Sequence, residues 1–182
     1  MGRIVSNFFI SLDGVVESPH EWHFPYLDDQ MEAAIDAGVQ SSAAFLMGRV
    51  LYDEWSQFWP NADPDMDFAS FINSAQKYVV SNTLERADWN NTTVVSGDVA
   101  GTLAALKDGT DGDITMSGSA TTVRSLLANG LLDQLNLLVH PIVVGHGQRL
   151  FEDDATYPLR LISHEVFATG VLNLAYAPDQ AG

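Results

Sequence analysis

The residues of this chain best suited to chemistry are a glycine and an arginine that follow an apolar run. Residues 43–47 are wholly apolar, and Gly48 and Arg49 come next, ahead of a helix-forming stretch. A strand that enters a helix through such a pair predicts an anion site. The glycine lets the backbone approach a ligand, the helix start offers unpaired N–H groups, and the guanidinium supplies a fixed cationic fork. An ordinary strand–helix turn with a solvated arginine is the alternative interpretation.

Two further predicted strands end in groups that suit a phosphate. Ligands of open parallel sheets bind at the carboxyl ends of strands, so we expect these ends to share one site with Arg49. Neither GxGxxG nor GxxxxGK[ST] occurs, which argues against a Rossmann dehydrogenase and a nucleotide hydrolase. A helix start that serves only as a cap is the alternative for the second of the two ends. The first end comprises Ser81, Asn82 and Thr83, and the second comprises Gly118, Ser119, Ala120 and Thr121.

Composition favours one compact α/β domain over residues 1–182 and excludes several classes of function. The chain has 24 acidic and 8 basic side chains, a net charge of −16 and no cysteine. Such a charge repels polyanions, so nucleic acid is not an expected partner. The absence of cysteine excludes disulfides, thiolate zinc sites and a cysteine nucleophile. No apolar run reaches the roughly 18 residues of a membrane span, and a cytoplasmic location is the expectation.

The order of predicted elements indicates three layers. Strands and helices alternate through residue 130, which is typical of a mostly parallel central sheet with helices on both faces. Strands at 159–168 and 171–177 surround Thr169 and Gly170 and predict a C-terminal antiparallel hairpin at one edge. The other predicted strands cover 3–11, 43–47, 77–81, 92–96, 113–117 and 133–139, and the predicted helices cover 28–41, 48–55, 66–74, 99–106 and 120–128.

Six short motifs occur in order along nearly the whole chain. They span residues 11–14, 47–54, 77–84, 114–120, 130–135 and 141–151. Each motif is weak alone, but the ordered set at these spacings is specific. Together they resemble the dihydrofolate-reductase-like superfamily, in the branch that contains the C-terminal reductase domain of bacterial riboflavin biosynthesis enzymes.

The resemblance implies an NADPH-dependent reductase of a small heterocycle. The substrate would be 5-amino-6-(5-phosphoribosylamino)uracil or dihydrofolate. It also implies that Arg49 and the strand end at Ser81, Asn82 and Thr83 hold the 2′-phosphate of the cofactor. The helix start from Gly118 to Thr121 would hold the pyrophosphate, and the loop from Asp13 would lie beside the nicotinamide as a lid. Members of this superfamily commonly pair through their C-terminal strands, so a homodimer is expected.

The proton donor is less clearly marked than the cofactor site. Asp13 is the candidate catalytic residue, and Asp28, Asp29 and Glu32 are further carboxyl groups that serve equally well as favourable first-turn charges of a helix. No lysine or arginine lies between Arg49 and Lys77 to grip a substrate phosphate. An NADP(H)-binding module without turnover is therefore the rival function, and an acidic interaction protein is a third possibility that rests on net charge.

Three histidines and several aromatic residues invite other interpretations. His20 and His23 are expected to be exposed loop residues and not metal ligands, because no third ligand is evident; no metal site is predicted. His140 precedes a proline and is expected to be a satisfied histidine at a sheet edge. Aromatic residues that could stack on a heterocycle or fill the core are Trp22, Trp55, Phe58 and Trp59.

Overall fold

Eight strands form one sheet in the computed structural model, which describes residues 1–152 and 155–179. The strands are β1 (Arg3–Ser11), β2 (Ser42–Gly48), β3 (Lys77–Val80), β4 (Thr92–Val95), β5 (Asp113–Met116), β6 (Gln134–His140), β7 (Leu159–Val166) and β8 (Leu172–Pro178). Their spatial order is β4-β3-β2-β5-β1-β6-β8-β7. Neighbours from β4 to β6 pair in parallel, and β8 is antiparallel to both β6 and β7. The predicted parallel sheet with a C-terminal antiparallel hairpin is confirmed.

Five α-helices cover the two faces of the sheet. They are α1 (Asp29–Ser41), α2 (Arg49–Phe58), α3 (Asp67–Ser74), α4 (Val99–Gly109) and α5 (Ala120–Ala128). Apolar residues of α4 and α5 share one core cluster, whereas α2 and α3 share a second cluster and α1 belongs to a third. Within the described residues, none of the helices has the length and apolar character needed to cross a bilayer.

The alternating side chains of β2 show that the first two core clusters lie on opposite faces of the sheet. Leu46 packs in the cluster of α4 and α5, whereas Phe45 and Met47 pack in the cluster of α2 and α3. Successive side chains of a strand point to opposite faces, so the helices lie on both sides of the sheet and the three-layer prediction is confirmed. Phe45, Leu46 and Met47 are all buried, as expected for a central strand covered on both faces.

The position of β2 at the centre of the sheet determines where the candidate residues meet. Gly48 at the end of β2 stands in register with Val80 of β3, and Phe45 stands in register with Thr115 of β5. These three strands are parallel and adjacent, so their carboxyl ends open onto one stretch of the sheet edge. The next two carboxyl ends along this edge belong to β1 and β6, where Ser11 pairs with His140.

Candidate functional site

The ends of β2 and β5 approach each other through two glycines. The backbone N–H of Gly48 donates to the carbonyl oxygen of Gly118 over 3.3 Å. A Cβ atom at Gly48 would overlap the hydroxyl oxygens of Ser119 and Thr122. Gly118 has φ +146°, a backbone conformation that side chains disfavour, and the peptide bond between Gly118 and Ser119 is cis. Glycine at both positions therefore lets the start of α5 sit directly against the end of β2.

Arg49 connects the end of β2 to the end of β3. Its Nε donates to both carboxylate oxygens of Asp53, one helical turn later, at 2.8 Å, and its Nη1 donates to the hydroxyl of Thr83 at 3.3 Å. Ser81 Oγ accepts the backbone N–H groups of Thr83 and Leu84 at 3.2 and 3.1 Å, which fixes the turn after β3. The guanidinium is thus held at the sheet edge while 38% of the side chain stays exposed to a ligand.

The start of α5 supplies donors next to Gly48, the residue before Arg49. Ser119 caps the helix, because its Oγ accepts the backbone N–H of Thr122 at 3.4 Å. The first N–H groups of a helix have no partner inside it, so those of Ala120 and Thr121 are the ones that a ligand at this end would meet. The positive end of the helix dipole adds to the attraction for an anion.

Most of the predicted cofactor residues come together at this edge. Gly48, Gly118 and Ser119 form one contact, and Arg49, Thr83 and Ser81 form the other. Asn82 also follows β3, but its side-chain oxygen accepts the backbone N–H of Gly97 at 3.2 Å and so positions the loop before α4. The part assigned to each residue in holding a cofactor stays a prediction. A surface depression lined by Tyr52, Asp53, Leu84, Arg86 and Trp89 borders the Arg49 side of the edge.

Asp13 lies at the end of β1 and holds the loop that follows β6. Its carboxylate accepts the hydroxyl of Ser11 at 2.6 Å and the backbone N–H groups of Val144 and Gly145 at 3.0 and 2.8 Å. These hydrogen bonds, led by that from Ser11, lower the pKa of Asp13 from 3.8 to about 2. Asp13 is therefore a carboxylate at neutral pH. Its predicted catalytic role is untested, and its contacts favour positioning over proton donation.

Sequence reasoning missed Arg149 as a partner of Asp13. Arg149 Nε donates to the carbonyl oxygen of Asp13 at 3.0 Å, and a guanidinium nitrogen lies 3.7 Å from its carboxylate. The two residues are 136 positions apart in the sequence, so no local pattern reveals this contact. The signal that could have found it is the Gly145-His146-Gly147 turn, whose two positive-φ glycines bend the chain back toward β1.

The prediction that His140 is a satisfied histidine at a sheet edge is wrong. It ends β6, which lies between β1 and β8, and its side chain is fully buried. Its Nδ1 lies 2.8 Å from the carbonyl oxygen of Leu138, whereas its Nε2 has no hydrogen-bond partner among the described residues. Burial lowers the pKa of His140, so the ring is held neutral.

The loop before α1 covers His140 with aromatic rings. Trp22 and Tyr26 contact it edge-on, at centroid distances of 5.2 and 5.6 Å. His23 is buried in the same cluster, stacked on Phe9 at 4.6 Å, so the expectation that His23 is exposed is wrong, while His20 is exposed as expected. Burial, with a smaller contribution from the nearby histidines, lowers the pKa of His23 to about 4.

The remaining aromatic and acidic candidates have identifiable structural contacts. Trp55 and Trp59 belong to a ring cluster between α2 and α3, and Phe58 is 56% exposed. Asp28 caps α1, because its carboxylate accepts the backbone N–H of Met31 at 2.9 Å. The first-turn interpretation of Asp28 is thereby confirmed.

Comparisons with known proteins agree with this fold. The family model of the RibD C-terminal domain matches residues 3–173. The chain is 28% identical to the uncharacterised protein YyaP of Bacillus subtilis over 179 residues, which are 96% of this chain and 94% of YyaP. A putative riboflavin biosynthesis protein from Shewanella sp. PV-4 superposes with a TM-score of 0.80 at 19% identity, covering 98% of this chain and 99% of the other. Dihydrofolate reductase from Enterococcus faecalis, solved with NADP(H), gives 0.66 at 12% identity and covers 98% of each chain. The fold is dihydrofolate-reductase-like.

We predict that Gly48→Ala destabilises the junction of β2 with α5. The added methyl group displaces the hydroxyls of Ser119 and Thr122, and loss of that cap costs roughly 1 kcal/mol. Urea unfolding measures the change. Gly38→Ala is the matched control, because the same methyl group on α1 meets no atom within 4 Å and favours the helix. Equal stability of both variants would contradict the proposed close approach.

We predict that Asp13→Asn loosens the loop after β6. The amide presents a donor where the carboxylate accepts, so the backbone amides of Val144 and Gly145 lose protection in hydrogen exchange. Asp29→Asn, on the exposed first turn of α1, leaves them unchanged. Because folding lowers the pKa of Asp13, the ionised carboxylate stabilises the folded state fully above pH 3.8, and this stabilisation disappears as the pH falls through about 2. Protection of these two amides that survives Asp13→Asn at neutral pH would refute the assignment.

Proposed function

The chain belongs to the family of RibD C-terminal domains, and from this we propose that it is an NADPH-dependent reductase of a small heterocyclic substrate. The reaction is of the type carried out on 5-amino-6-(5-phosphoribosylamino)uracil or on dihydrofolate. The observation that carries the proposal is the meeting of three strand ends. Gly48 contacts Gly118, and Arg49 contacts Thr83, so backbone donors, hydroxyls and a guanidinium share one edge.

This edge suits the phosphates of NADPH. The helix start at Ala120 and Thr121 supplies N–H groups for the pyrophosphate, since helix N-termini bind anions. Arg49 is placed for the 2′-phosphate, because a guanidinium binds a dianion more strongly than it binds the neutral hydroxyl of NADH. The acidic exterior does not prevent this, since salt screens exposed charges beyond roughly 8 Å.

NADPH, when bound, supplies a hydride to an unsaturated carbon of the substrate. One proton from the solvent would balance the transfer, so the products would be NADP⁺ and the reduced substrate. The chain's own contribution is to orient the two partners and to exclude water. Asp13 acts as a positioning residue, because its carboxylate joins the end of β1 to the loop after β6, where the substrate would lie.

An NADP(H)-binding module without turnover is the second candidate. The observation that favours it is the ionised state of Asp13, the carboxyl group predicted to act in catalysis. Oxidation of NADPH in the presence of dihydrofolate or the pyrimidine distinguishes the two functions. An enzyme consumes NADPH with at least one of them, whereas a module binds NADPH and leaves it unchanged.

We predict that Arg49→Ala weakens NADPH binding much more than NADH binding. Loss of a charge-assisted contact to the 2′-phosphate costs about 1.5–3 kcal/mol, or roughly 10- to 150-fold in Kd. Fluorescence titration of both cofactors measures the difference.

Arg160→Ala is the control for Arg49→Ala, because it removes the same charge from the far end of the sheet. We expect it to leave both dissociation constants unchanged. The 2′-phosphate assignment fails if the two variants weaken NADPH binding equally, or if Arg49→Ala weakens both cofactors equally.

We also propose that the protein forms a homodimer through its C-terminal strands. β7 is the last strand of the sheet and is exposed along most of its length. Leu161, Ile162 and Val166 on this strand are 46%, 48% and 64% exposed. An edge strand with apolar side chains offers both unpaired backbone groups and apolar area to a second copy of the chain.

We predict that Val166→Arg converts this dimer to a monomer. A buried, unpaired guanidinium at the interface is strongly unfavourable. Sedimentation velocity reports the mass. Val50→Arg is the matched control, because Val50 is also 64% exposed but lies on α2. A monomeric wild type, or a dimer that survives Val166→Arg, would contradict the proposed interface.

A further inference from the structure

The carboxyl edge of the sheet has two chemically different halves. The half formed by the ends of β3, β2 and β5 presents hydroxyls, helix N–H groups and the Arg49 guanidinium. The other half, formed by the ends of β1 and β6, holds Asp13 and the loop of residues 141–152, which we call the β6 loop. If NADPH occupies the first half, as proposed above, the substrate occupies the second.

Carboxylates of the chain itself already fill the N–H donors of the β6 loop. Those of Val144 and Gly145 bind Asp13 at 3.0 and 2.8 Å. The N–H of Gln148 donates to Glu17 at 2.5 Å. A fourth such bond, 2.7 Å long, joins the N–H of Arg149 to Glu152. Loops with positive-φ glycines often bind external anions through such groups. Here four of these donors are occupied, and the carboxylates that occupy them repel another anion.

Two nearby cations, Arg124 and Arg149, offset this repulsion only in part, because the three carboxylates outnumber them. Arg149 is the basic residue of the β6 loop, and it is bound to Asp13. Arg124 on α5 donates to the backbone oxygens of Arg149 and Leu150. All eight basic residues lie in the described part of the chain, and the six other than Arg124 and Arg149 are far from the β6 loop. These six are Arg49 and Arg86 beside β3, buried Lys77, and Arg3, Lys107 and Arg160 toward the opposite edge.

This half of the edge offers apolar and aromatic surface instead. His23 stacks on Phe9 at a centroid distance of 4.6 Å, and Phe24, which is 60% exposed, lies against His23 at 4.2 Å with its ring tilted by 36°. Leu12, which follows β1 and is 67% exposed, bonds through its N–H to Ile142 of the β6 loop. An exposed ring at the end of a stack suits a further flat ring.

Two buried ring nitrogens lie behind this surface without a hydrogen-bond partner among the described residues. They are His23 Nδ1 and His140 Nε2, in side chains that are 9% and 0% exposed. Leu138 accepts from His140 Nδ1 in the neutral tautomer, so Nε2 is an acceptor.

We infer that the substrate is a flat heterocycle without a phosphate or other anionic group, and that Asp13, Glu17 and Glu152 enforce this selection. The inference rests on the proposed reductase function. It narrows that function, because it separates this chain from a reductase whose substrate carries a ribosyl phosphate.

The test compares ligands with and without an anionic group, on protein saturated with NADPH. One pair is 5-amino-6-(5-phosphoribosylamino)uracil and its unphosphorylated riboside; the other is dihydrofolate and the dihydropterin ring without its glutamate. Tryptophan fluorescence titration gives each Kd. We expect the uncharged member of a pair to bind at least about tenfold more tightly.

The outcomes separate the inference from the proposed function. Tighter or equal binding of the charged member in either pair overturns the inference, as does failure of all four ligands to bind the NADPH complex. Failure of NADPH itself to bind overturns the proposed function, and the inference with it.

A charge-neutral variant tests the cause of the selection. Glu17→Gln keeps an oxygen for the N–H of Gln148 and removes one negative charge, so the phosphorylated ligand should bind about three- to tenfold more tightly while the riboside is unaffected. Glu21→Gln, an exposed residue of the same loop, is the matched control and should change neither Kd. An equal response of the two ligands to Glu17→Gln would overturn the assignment of selection to these carboxylates.

Discussion

The close approach of two backbone segments, at Gly48 and Gly118, is the constraint on which the site depends. β2 and β5 are neighbouring parallel strands at the buried centre of the sheet, and each leaves the sheet directly into a helix. The N–H of Gly48 reaches the carbonyl oxygen of Gly118 because Gly48 has no Cβ atom to overlap Ser119 and Thr122, and because Gly118 adopts φ +146°, which side chains disfavour. This contact sets the start of α5 against the end of β2, the residue before Arg49.

The groups at the carboxyl edge of the sheet make the proposed phosphate-bearing cofactor compatible with an acidic protein. With a net charge of −16, the chain has few cations to distribute. One of them, Arg49, lies where three strand ends meet. The N–H groups of the helix start and the backbone add partial positive charge without any further lysine or arginine. On the neighbouring half of the edge, the carboxylates of Asp13 and Glu17 accept backbone N–H groups of the β6 loop and hold it in place. Under the two proposals, charge divides the edge into an anion-binding half and an anion-excluding half.

The aromatic loop before α1 buries two histidines next to this part of the edge. His140 ends a strand inside the sheet, and rings of Trp22 and Tyr26 close over it. Desolvation keeps both His140 and His23 neutral, so this part of the molecule adds little charge of either sign. This uncharged cluster lies beside a loop whose N–H groups are bound by carboxylates, so the proposed selection combines stacking on the exposed ring of Phe24 with repulsion of anions.

The sequence by itself determined the local elements and much of the cofactor edge. Apolar periodicity located all eight strands and five helices to within a few residues, because hydrophobic spacing and helix caps are properties of neighbouring residues. The turns at Gly48, Ser81 and Gly118 were recognisable for the same reason. Family resemblance then added an expectation that spacing alone left open, namely that the three ends bind one nucleotide.

Tertiary structure decided everything that depends on residues far apart in the chain. The insertion of β1 between β5 and β6 brings Asp13 to Val144 and Arg149, across more than a hundred residues, and no local pattern encodes that pairing. The pairing of β8 on the other side of β6 moves His140 from an expected sheet edge to a buried interior strand. The physical reason is that strand order follows from the packing of whole faces against one another, whereas a sequence pattern reports only which side of its own strand or helix each residue occupies.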